Sequence, residues 1–229
     1  MRYYVGPEGR DEYLEKPSGT PVIVDVLRAS STIIVALSRG AARVIPMRDY
    51  EEALELGRGI GAVLIGERHG IKVDGFDYGN LPTDMMQIHM EGKTIVMVTT
   101  NGTQVMVDGG IIASTLNAGA VASRIASVPH DYLLASGSPK KSEEDLCAAR
   151  LIELIAEKIS AGIAPDTAAT TTFFSDEGQQ FLDGIRGSRS GEKLTAYGYG
   201  EDVDLVCTAI NRYPVLPLYR DGEIRLVRQ

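Results

Sequence analysis

Residues 21–36 read PVIVDVLRASSTIIVA, and the rest of the chain is predicted to be organised around them. Its first apolar run, 22–24, has the composition of a strand that is buried on both faces of a parallel sheet. Asp25 and Arg28 interrupt the run, and a segment with helical spacing opens at Ala29. Ligands of open α/β sheets bind at such strand ends, where the next helix presents unpaired N–H groups. The stretch predicts a site for a metal and an anion, although a surface ion pair followed by an ordinary Ser/Thr helix cap fits it equally well.

Short apolar strands alternate with helical segments along most of the chain. Strands are predicted over 2–5, 21–27, 43–46, 62–65, 95–98 and 131–135, and helices over 30–39, 49–57, from about 103, 117–125, 142–161 and 166–185. This alternation is the signature of right-handed βαβ units. Asp221-Gly222 between two apolar runs predicts a terminal hairpin. We therefore expect one three-layer α/β domain over 1–229, in which 166–229 is a helical region plus this hairpin, packed on the same core.

Composition narrows the class of protein. With 229 residues and 44% hydrophobic content, the chain can bury a sizeable core. Its formal net charge of -8, without a basic stripe, argues against nucleic-acid binding. Cys147 and Cys207 lie in apolar stretches with no C-x-x-C motif, which is typical of buried thiols in a reducing compartment. No secretory h-region and no apolar run of ~18 residues is visible, so we expect a cytoplasmic protein without a membrane span.

Two further polar breaks follow predicted strands in the first half of the chain. The first, GERHG at 66–70, again places a carboxylate before an arginine, and a long glycine-rich loop with Asn80 follows it over 71–82. Loops of that length are usually functional or disordered, and its aromatic residues favour an ordered one. His69 could act as a general acid or simply be exposed. The second break, TTNGT at 99–103, supplies donors for phosphate oxygens, although a tight turn with a helix cap would need only its Asn-Gly pair.

A fourth break lies in the second half of the chain. It reads ASGSP at 135–139, including Gly137, and is followed by Ser142-Glu143-Glu144-Asp145. Ser142 and Asp145 resemble a capping box, and acidic residues in a first helical turn complement the helix dipole. That explanation accounts for Glu143 and leaves Glu144 and Asp145 as candidate ligands of a divalent cation, facing Asp25 and Glu67.

The four breaks are expected to converge on one rim of the sheet. There the arginines would neutralise an oxyanion, and the carboxylates would hold Mg²⁺ against a transferring phosphoryl group. No Walker lysine, G-x-G-x-x-G, H-E-x-x-H or nucleophile elbow is present, which disfavours kinases, dehydrogenases, zincins and α/β-hydrolases. The predicted Mg²⁺ ligands are Asp25, Glu67, Glu144 and Asp145. The predicted phosphate- or substrate-binding residues are Ser30, Ser31, Asn80, Thr99, Thr100, Gly102, Thr103 and Gly137.

The motifs VDVLRASST (24–32), the 66–82 loop, TTNGT (99–103) and S-x-E-D (142–145) together resemble the 2-phosphosulfolactate phosphatase family over nearly the whole chain. The 200–203 and 214–217 segments agree more loosely. The resemblance implies a three-layer α/β/α fold with a mostly parallel or mixed sheet and a homodimer. It also implies a Mg²⁺-dependent phosphatase acting on 2-phospho-3-sulfolactate in coenzyme M biosynthesis. Carried over by position, the candidate catalytic residues are Asp25, Arg28, Glu67, Arg68, Asn101 and Asp145.

The working hypothesis is therefore a Mg²⁺-dependent phosphomonoesterase for a small, doubly anionic hydroxy acid. Attack by water and formation of a phospho-aspartyl intermediate on Asp25 both fit the residues. Three alternatives stay open: a phosphatase of another small phosphorylated hydroxy acid, a lyase or transferase working on such acids, and a non-catalytic protein that binds phosphorylated metabolites.

Overall fold

A mixed sheet forms the middle layer of the computed structural model, which describes residues 1–135 and 142–227. Strands β1 to β10 cover Tyr3–Val5, Thr20–Val24, Arg43–Met47, Val63–Arg68, Ile71–Lys72, Thr94–Val98, Gly110–Ala113, His130–Leu134, Pro217–Arg220 and Glu223–Leu226. Helices α1 to α10 cover Gly6–Glu15, Ala29–Ser38, Tyr50–Ile60, Pro82–Met85, Ala118–Ile125, Glu143–Ser160, Pro165–Phe173, Asp176–Gly187, Arg189–Ala196 and Gly200–Thr208. Short 3₁₀ turns lie at Gly102–Gln104 and Thr115–Asn117. The predicted three-layer α/β/α fold with a mixed sheet is confirmed.

The strands are arranged in the order β1-β8-β2-β7-β9-β10-β3-β6-β4-β5. Strands β1, β8, β2 and β7 pair in parallel, and so do β3, β6 and β4. The β9–β10 hairpin joins the two sets through antiparallel pairs with β7 and β3. Counted through these pairs, the second set has the opposite sense to the first. Sheet twist accumulates at roughly 20–25° per strand, so the carboxyl end of β2 and those of β4 and β6 can still meet on one side of the molecule.

The strand–turn–helix unit predicted at 21–36 is present as β2 and α2. Residues 22–24 are fully buried, and β2 lies between β8 and β7, which explains its continuous apolar composition. Helix α2 is buried from Ala29 to Leu37, because one of its sides packs against the sheet and its other sides pack against α4 and the two 3₁₀ turns.

Alternation along β4 and β6 places helices on both faces of the sheet. Leu64 and Val96 face Ala53 of α3 in a small second core, while Ile65 and Met97 face the main core. Helix α3 is capped as predicted by Asp49, whose side chain accepts hydrogen bonds from the backbone N–H groups of residues 51 and 52.

Three expectations about secondary structure are wrong. The helix predicted from Thr103 is a single 3₁₀ turn, and the chain then forms β7. The 166–185 helix is two helices, because Ser175 caps a new one by accepting from the Gly178 N–H at 3.1 Å. Strand β4 continues to Arg68, so GERHG begins inside the strand. Helices α9 and α10 were not predicted.

The predicted terminal hairpin is present, but it lies inside the sheet. β9 pairs with β7, and β10 pairs with β3 through Ile224 and Val44. Within the described residues, no helix is long and apolar enough to cross a lipid bilayer.

Candidate active site

A cavity of about 180 Å³ lies where the ends of β2, β4 and β6 meet helix α9. It is partly open to solvent. Its described lining residues are Asp25, Leu27, Arg28, Glu67, His69, Gly70, Asn80, Thr100, Asn101, Ser190, Lys193 and Leu194. The cavity therefore gathers side chains from three of the four polar breaks, together with a helix from the C-terminal region.

Asp25 is the first residue after β2 and is buried. The turn that holds it is closed locally: the Asp25 N–H donates to Ser30 Oγ at 3.0 Å, and the Ser30 N–H donates to the Asp25 carbonyl at 2.9 Å. Burial, together with the nearby charge of Glu67, raises the pKa of Asp25 to about 7. The backbone N–H of Ala29 acts in the opposite direction, and the charge of Glu144 adds to the rise. Two carboxylates share this cavity, and that proximity is electrostatically costly.

Glu67 is buried and held by three donors. Its Oε1 accepts from the Thr100 N–H at 2.6 Å, and its Oε2 accepts from the Gly70 N–H at 2.5 Å and from Thr100 Oγ1 at 3.1 Å. These bonds fix the carboxylate between the ends of β4 and β6. Thr100 Oγ1 also accepts from the His69 N–H at 2.8 Å, which ties the two strand ends together.

The TTNGT turn packs directly against Asp25. Thr99 and Thr103 form reciprocal bonds: the Thr103 N–H donates to Thr99 Oγ1 at 3.1 Å, and the Thr99 N–H donates to Thr103 Oγ1 at 3.2 Å. Between them, a Cβ added at Gly102 would lie 2.5 Å from Asp25 Oδ2 and 2.5 Å from Ala29 Cβ. Glycine is required here by close approach. The neighbouring Asn101 lines the cavity.

Arg28 is almost fully buried beside Asp25 and is held on three sides. Its Nη1 donates to Asp202 Oδ2 at 3.2 Å, its Nη2 donates to the Gly70 carbonyl at 3.2 Å, and its Cζ lies 4.8 Å from the centre of the Tyr199 ring. The guanidinium thus forms part of the cavity wall while its charge is balanced by a carboxylate of helix α10.

Asn80 is buried at the boundary between this cavity and an adjoining pocket of about 290 Å³. Its Oδ1 finds no hydrogen-bond partner among the residues that the structure describes. Buried amide oxygens are normally satisfied, so this atom is available to a ligand or a water. Asn80 is the part of the 71–82 loop that reaches the cavity.

Comparison with known proteins gives the family. The sequence model of the 2-phosphosulpholactate phosphatase family matches residues 6–222. The chain belongs to this family. Relatives from Thermotoga petrophila, Clostridium perfringens and Clostridium acetobutylicum are each named as a probable 2-phosphosulfolactate phosphatase. They are 34%, 31% and 29% identical to this chain over 209, 219 and 215 residues. The alignments cover 89%, 90% and 90% of this chain and 90%, 88% and 91% of the relative.

Several residues predicted to bind substrate make hydrogen bonds within the protein, and their part in substrate binding stays a prediction. Ser31 Oγ donates to the Val26 carbonyl at 2.8 Å and contacts Ser114 Oγ at 2.7 Å. The Ser30, Thr99 and Thr103 hydroxyls are used in the turns described above. Arg68 is exposed and lies over the Tyr50 ring, with its Cζ 4.4 Å from the ring centre. Gly137 lies outside the described residues.

The two predicted acidic ligands on helix α6 lie behind the cavity. Asp145 Oδ1 accepts from the Val26 N–H at 2.8 Å, which supports the turn after β2. Glu144 Oε1 accepts from Ser190 Oγ of helix α9. Both carboxylates are buried, and neither belongs to the described lining of the cavity. Their part in metal binding stays a prediction.

The carboxylates that line the cavity fit Mg²⁺. Within residues 1–135 and 142–227, no three acidic, histidine or cysteine side chains come close enough together to hold a metal ion. Mg²⁺ does not require such a cage, because it is commonly bound by one or two carboxylates with water and substrate phosphate. Asp25 and Glu67 supply that number, and burial together with the charge of Glu67 raises the pKa of Asp25. These two residues would therefore hold the ion.

Sequence reasoning missed the contribution of helix α9. Ser190, Lys193 and Leu194 line the cavity, and Lys193 Nζ donates to the His69 carbonyl at 3.0 Å. The helix has a local signal, since Ser188 caps it by accepting from the Gly191 N–H at 3.0 Å. Its position over the cavity has no local signal, because that position depends on the packing of α9 against α8 and α10.

Proposed function

We propose that this protein is a Mg²⁺-dependent phosphatase that hydrolyses 2-phospho-3-sulfolactate to 3-sulfolactate and phosphate. One observation carries the proposal: Asp25, Glu67 and Arg28 converge in one small cavity at the strand ends. The names of the relatives support the substrate, since each is a probable 2-phosphosulfolactate phosphatase.

Charge balance supports the metal. The proposed substrate carries a phosphate, a carboxylate and a sulfonate, whereas the cavity already contains the carboxylates of Asp25 and Glu67. Arg28 is balanced by Asp202, which leaves Lys193 at the exposed mouth as a further cation. A multiply charged anion therefore needs a divalent cation in order to bind. When bound by Asp25 and Glu67, Mg²⁺ would neutralise charge on the phosphoryl oxygens.

The residues of the chain have distinct roles in this proposal. Arg28 and the backbone N–H and side-chain amide of Asn101 donate to phosphoryl oxygens, because both donors of Thr100 are bonded to Glu67. Lys193 attracts the carboxylate or sulfonate. Glu67 is kept in place by Thr100 and Gly70. Asp25 either takes a proton from the attacking water or attacks phosphorus itself. In the second route the P–O bond to the ester oxygen breaks, 3-sulfolactate leaves after its oxygen takes a proton from water, and a second water hydrolyses the acyl phosphate to phosphate and the free Asp25 carboxylate. Acid quenching during turnover, followed by hydroxylamine, separates the two routes because only the acyl phosphate yields a hydroxamate on Asp25.

The test is phosphate release from 2-phospho-3-sulfolactate, 2-phospholactate, phosphoglycolate and p-nitrophenyl phosphate, each with Mg²⁺ and with EDTA. We expect metal-dependent release that is fastest with the sulfonate. Equal rates on 2-phospholactate would contradict the proposed specificity for the sulfonate. Phosphate release that is unaffected by EDTA would contradict the proposed dependence on Mg²⁺. Absence of release from all four esters would refute the phosphatase.

One variant separates catalysis from mere binding of a phosphorylated metabolite. Asp25→Asn should abolish turnover, while product affinity measured at saturating Mg²⁺ stays within a few-fold of wild type, because Glu67 and the amide oxygen can still hold the ion. The role in coenzyme M biosynthesis, the homodimer and the cytoplasmic location stay predictions.

A further inference from the structure

We infer that Asp202 is a positioning residue for Arg28, an inference that rests on the proposed function. It fixes the orientation of the Arg28 guanidinium and balances its charge. Arg28 then presents directed N–H donors to the phosphoryl group and does not act as a freely moving cation.

The pair is buried to an unusual degree for charged residues. The side chains of Arg28 and Asp202 are 3% and 1% exposed, and they lie 174 positions apart in the chain. Surface ion pairs contribute little, but a buried arginine without a partner is strongly unfavourable. The contact is therefore a specific requirement of the site, because Arg28 could not occupy the cavity wall without it.

Asp202 is itself immobilised before it meets Arg28. Its Oδ1 accepts from both the N–H of Thr83, at 3.1 Å, and Thr83 Oγ1, at 2.8 Å. It lies in the first turn of helix α10, where the helix dipole also stabilises a carboxylate. Oδ2 is consequently a fixed acceptor that Arg28 must approach from one direction.

The other contacts of Arg28 leave little rotational freedom. One face of the guanidinium lies against Tyr199, at the N-cap of the same helix, and Nη2 is bonded to the Gly70 carbonyl. A guanidinium has five N–H donors, and the two bonds to Asp202 and Gly70 use two of them. Since Arg28 lines the cavity, the remaining donors can bind a phosphoryl oxygen in a direction that Asp202 sets.

The variant Asp202→Asn isolates this role. Asparagine keeps the shape and can still accept from Thr83, but its amide nitrogen cannot accept from Arg28. We expect kcat to fall about 10- to 100-fold, because misplacing a reacting contact by about 1 Å costs that much. The Kd for inorganic phosphate should weaken by no more than about 3-fold, since Arg28 keeps its charge. Asp204→Asn, on an exposed residue of the same helix, is the matched control and should leave both constants unchanged.

A double-mutant cycle distinguishes positioning from a structural role. If Asp202 acts through Arg28, Asp202→Asn should cost nothing further in an Arg28→Gln background. Should Arg28→Gln fail to fold, Arg28→Lys serves as the background, because it lacks the planar fork that Asp202 orients. Melting temperatures of all variants show that the assays are run on folded protein. Equal losses in both backgrounds, or wild-type kcat for Asp202→Asn, would overturn the inference.

A spectroscopic measurement is independent of turnover. In protein labelled with ¹⁵N-arginine, a guanidinium held on three sides should give separate Nη signals, assigned by their loss in Arg28→Gln. We expect them to merge in Asp202→Asn and to remain in Asp204→Asn. Signals that stay separate in Asp202→Asn would also overturn the inference. If wild type hydrolyses no ester, the proposed function fails, whereas this measurement still tests whether Asp202 orients Arg28.

Discussion

Gly102 offers a direct test of whether the position of Asp25 matters, and alanine is the smallest perturbation available. The backbone of Gly102 is outside the left-handed region, so alanine is conformationally allowed and its effect is steric. The new Cβ would lie 2.5 Å from both Asp25 Oδ2 and Ala29 Cβ, whereas ordinary contact begins at 3.4 Å. Ala29 lies in the buried first turn of α2 and yields poorly. The turn or the carboxylate must therefore move by about 0.9 Å.

Two magnitudes follow from this displacement. Overpacking of a close-packed interior costs about 1–3 kcal/mol, and in a domain of this size each kcal/mol lowers the melting temperature by roughly 2–4 °C. A shift of nearly 1 Å in a catalytic carboxylate is expected to lower kcat/KM about 100-fold. Loss of activity should therefore greatly exceed loss of folded protein at 25 °C.

The assay is Mg²⁺-dependent phosphate release from 2-phospho-3-sulfolactate, with a thermal melt recorded by circular dichroism on the same preparation. Gly59→Ala is the matched control, since a Cβ at Gly59 of helix α3 meets nothing within 4 Å. That change should stabilise the protein by about 0.5–1 kcal/mol and leave kcat/KM unchanged. A Gly102→Ala protein with kcat/KM within 3-fold of wild type would contradict this prediction, because the contact with Asp25 would then have no catalytic consequence.

Two further predictions concern the charges of the site. The pKa of Asp25 in the folded protein is raised from 3.8 to about 7, so the folded protein binds the Asp25 proton more tightly than the unfolded chain does. The free energy of unfolding therefore falls as the pH rises from 3.8 to about 7, by about 4 kcal/mol in total. In EDTA, Asp25→Asn should therefore melt above wild type at pH 8 and close to it at pH 4; parallel melting curves at both pH values would contradict the raised pKa. Lys193→Ala should raise KM about 10-fold with little change in kcat, because Lys193 lines the cavity mouth. Arg68→Ala should change kcat/KM less than 3-fold, because Arg68 lies over the Tyr50 ring. The reverse ranking in steady-state kinetics would show that Arg68 is the substrate-binding cation.

Local signals in the sequence were sufficient for much of the fold. Three elements are favoured by residues close together in the sequence, and all three form: the β-branched strand at 22–24, the helix capped by Asp49 and the hairpin with the Asp221-Gly222 turn. The polar residues after β2 and β6 could also be recognised as a candidate site from the sequence, because they interrupt apolar strands.

What the sequence could not reveal depends on contacts between distant residues. Nothing in the sequence around Asp202 indicates a role, because its contact with Arg28 depends on the packing of α10. Lys193 likewise reaches the cavity only because of the position of α9. The hydroxyls of Ser31 and Thr103 show the converse limit. Their types suit phosphate binding, but nearby backbone groups use them first.

The hairpin in the middle of the sheet has a consequence for how the protein is made. β9 and β10 are synthesised after strands β1 to β8, yet they separate the two parallel sets by pairing with β7 and β3. Until residues 217–226 have left the ribosome, β7 and β3 have unpaired N–H and C=O groups on one side, and such edges invite association with other chains. Completion of the sheet must therefore be a late event in biosynthesis. A chain that ends before residue 217 would have two open sheet edges, at β7 and β3, in addition to those of the complete sheet, and exposed strand edges of this kind promote aggregation.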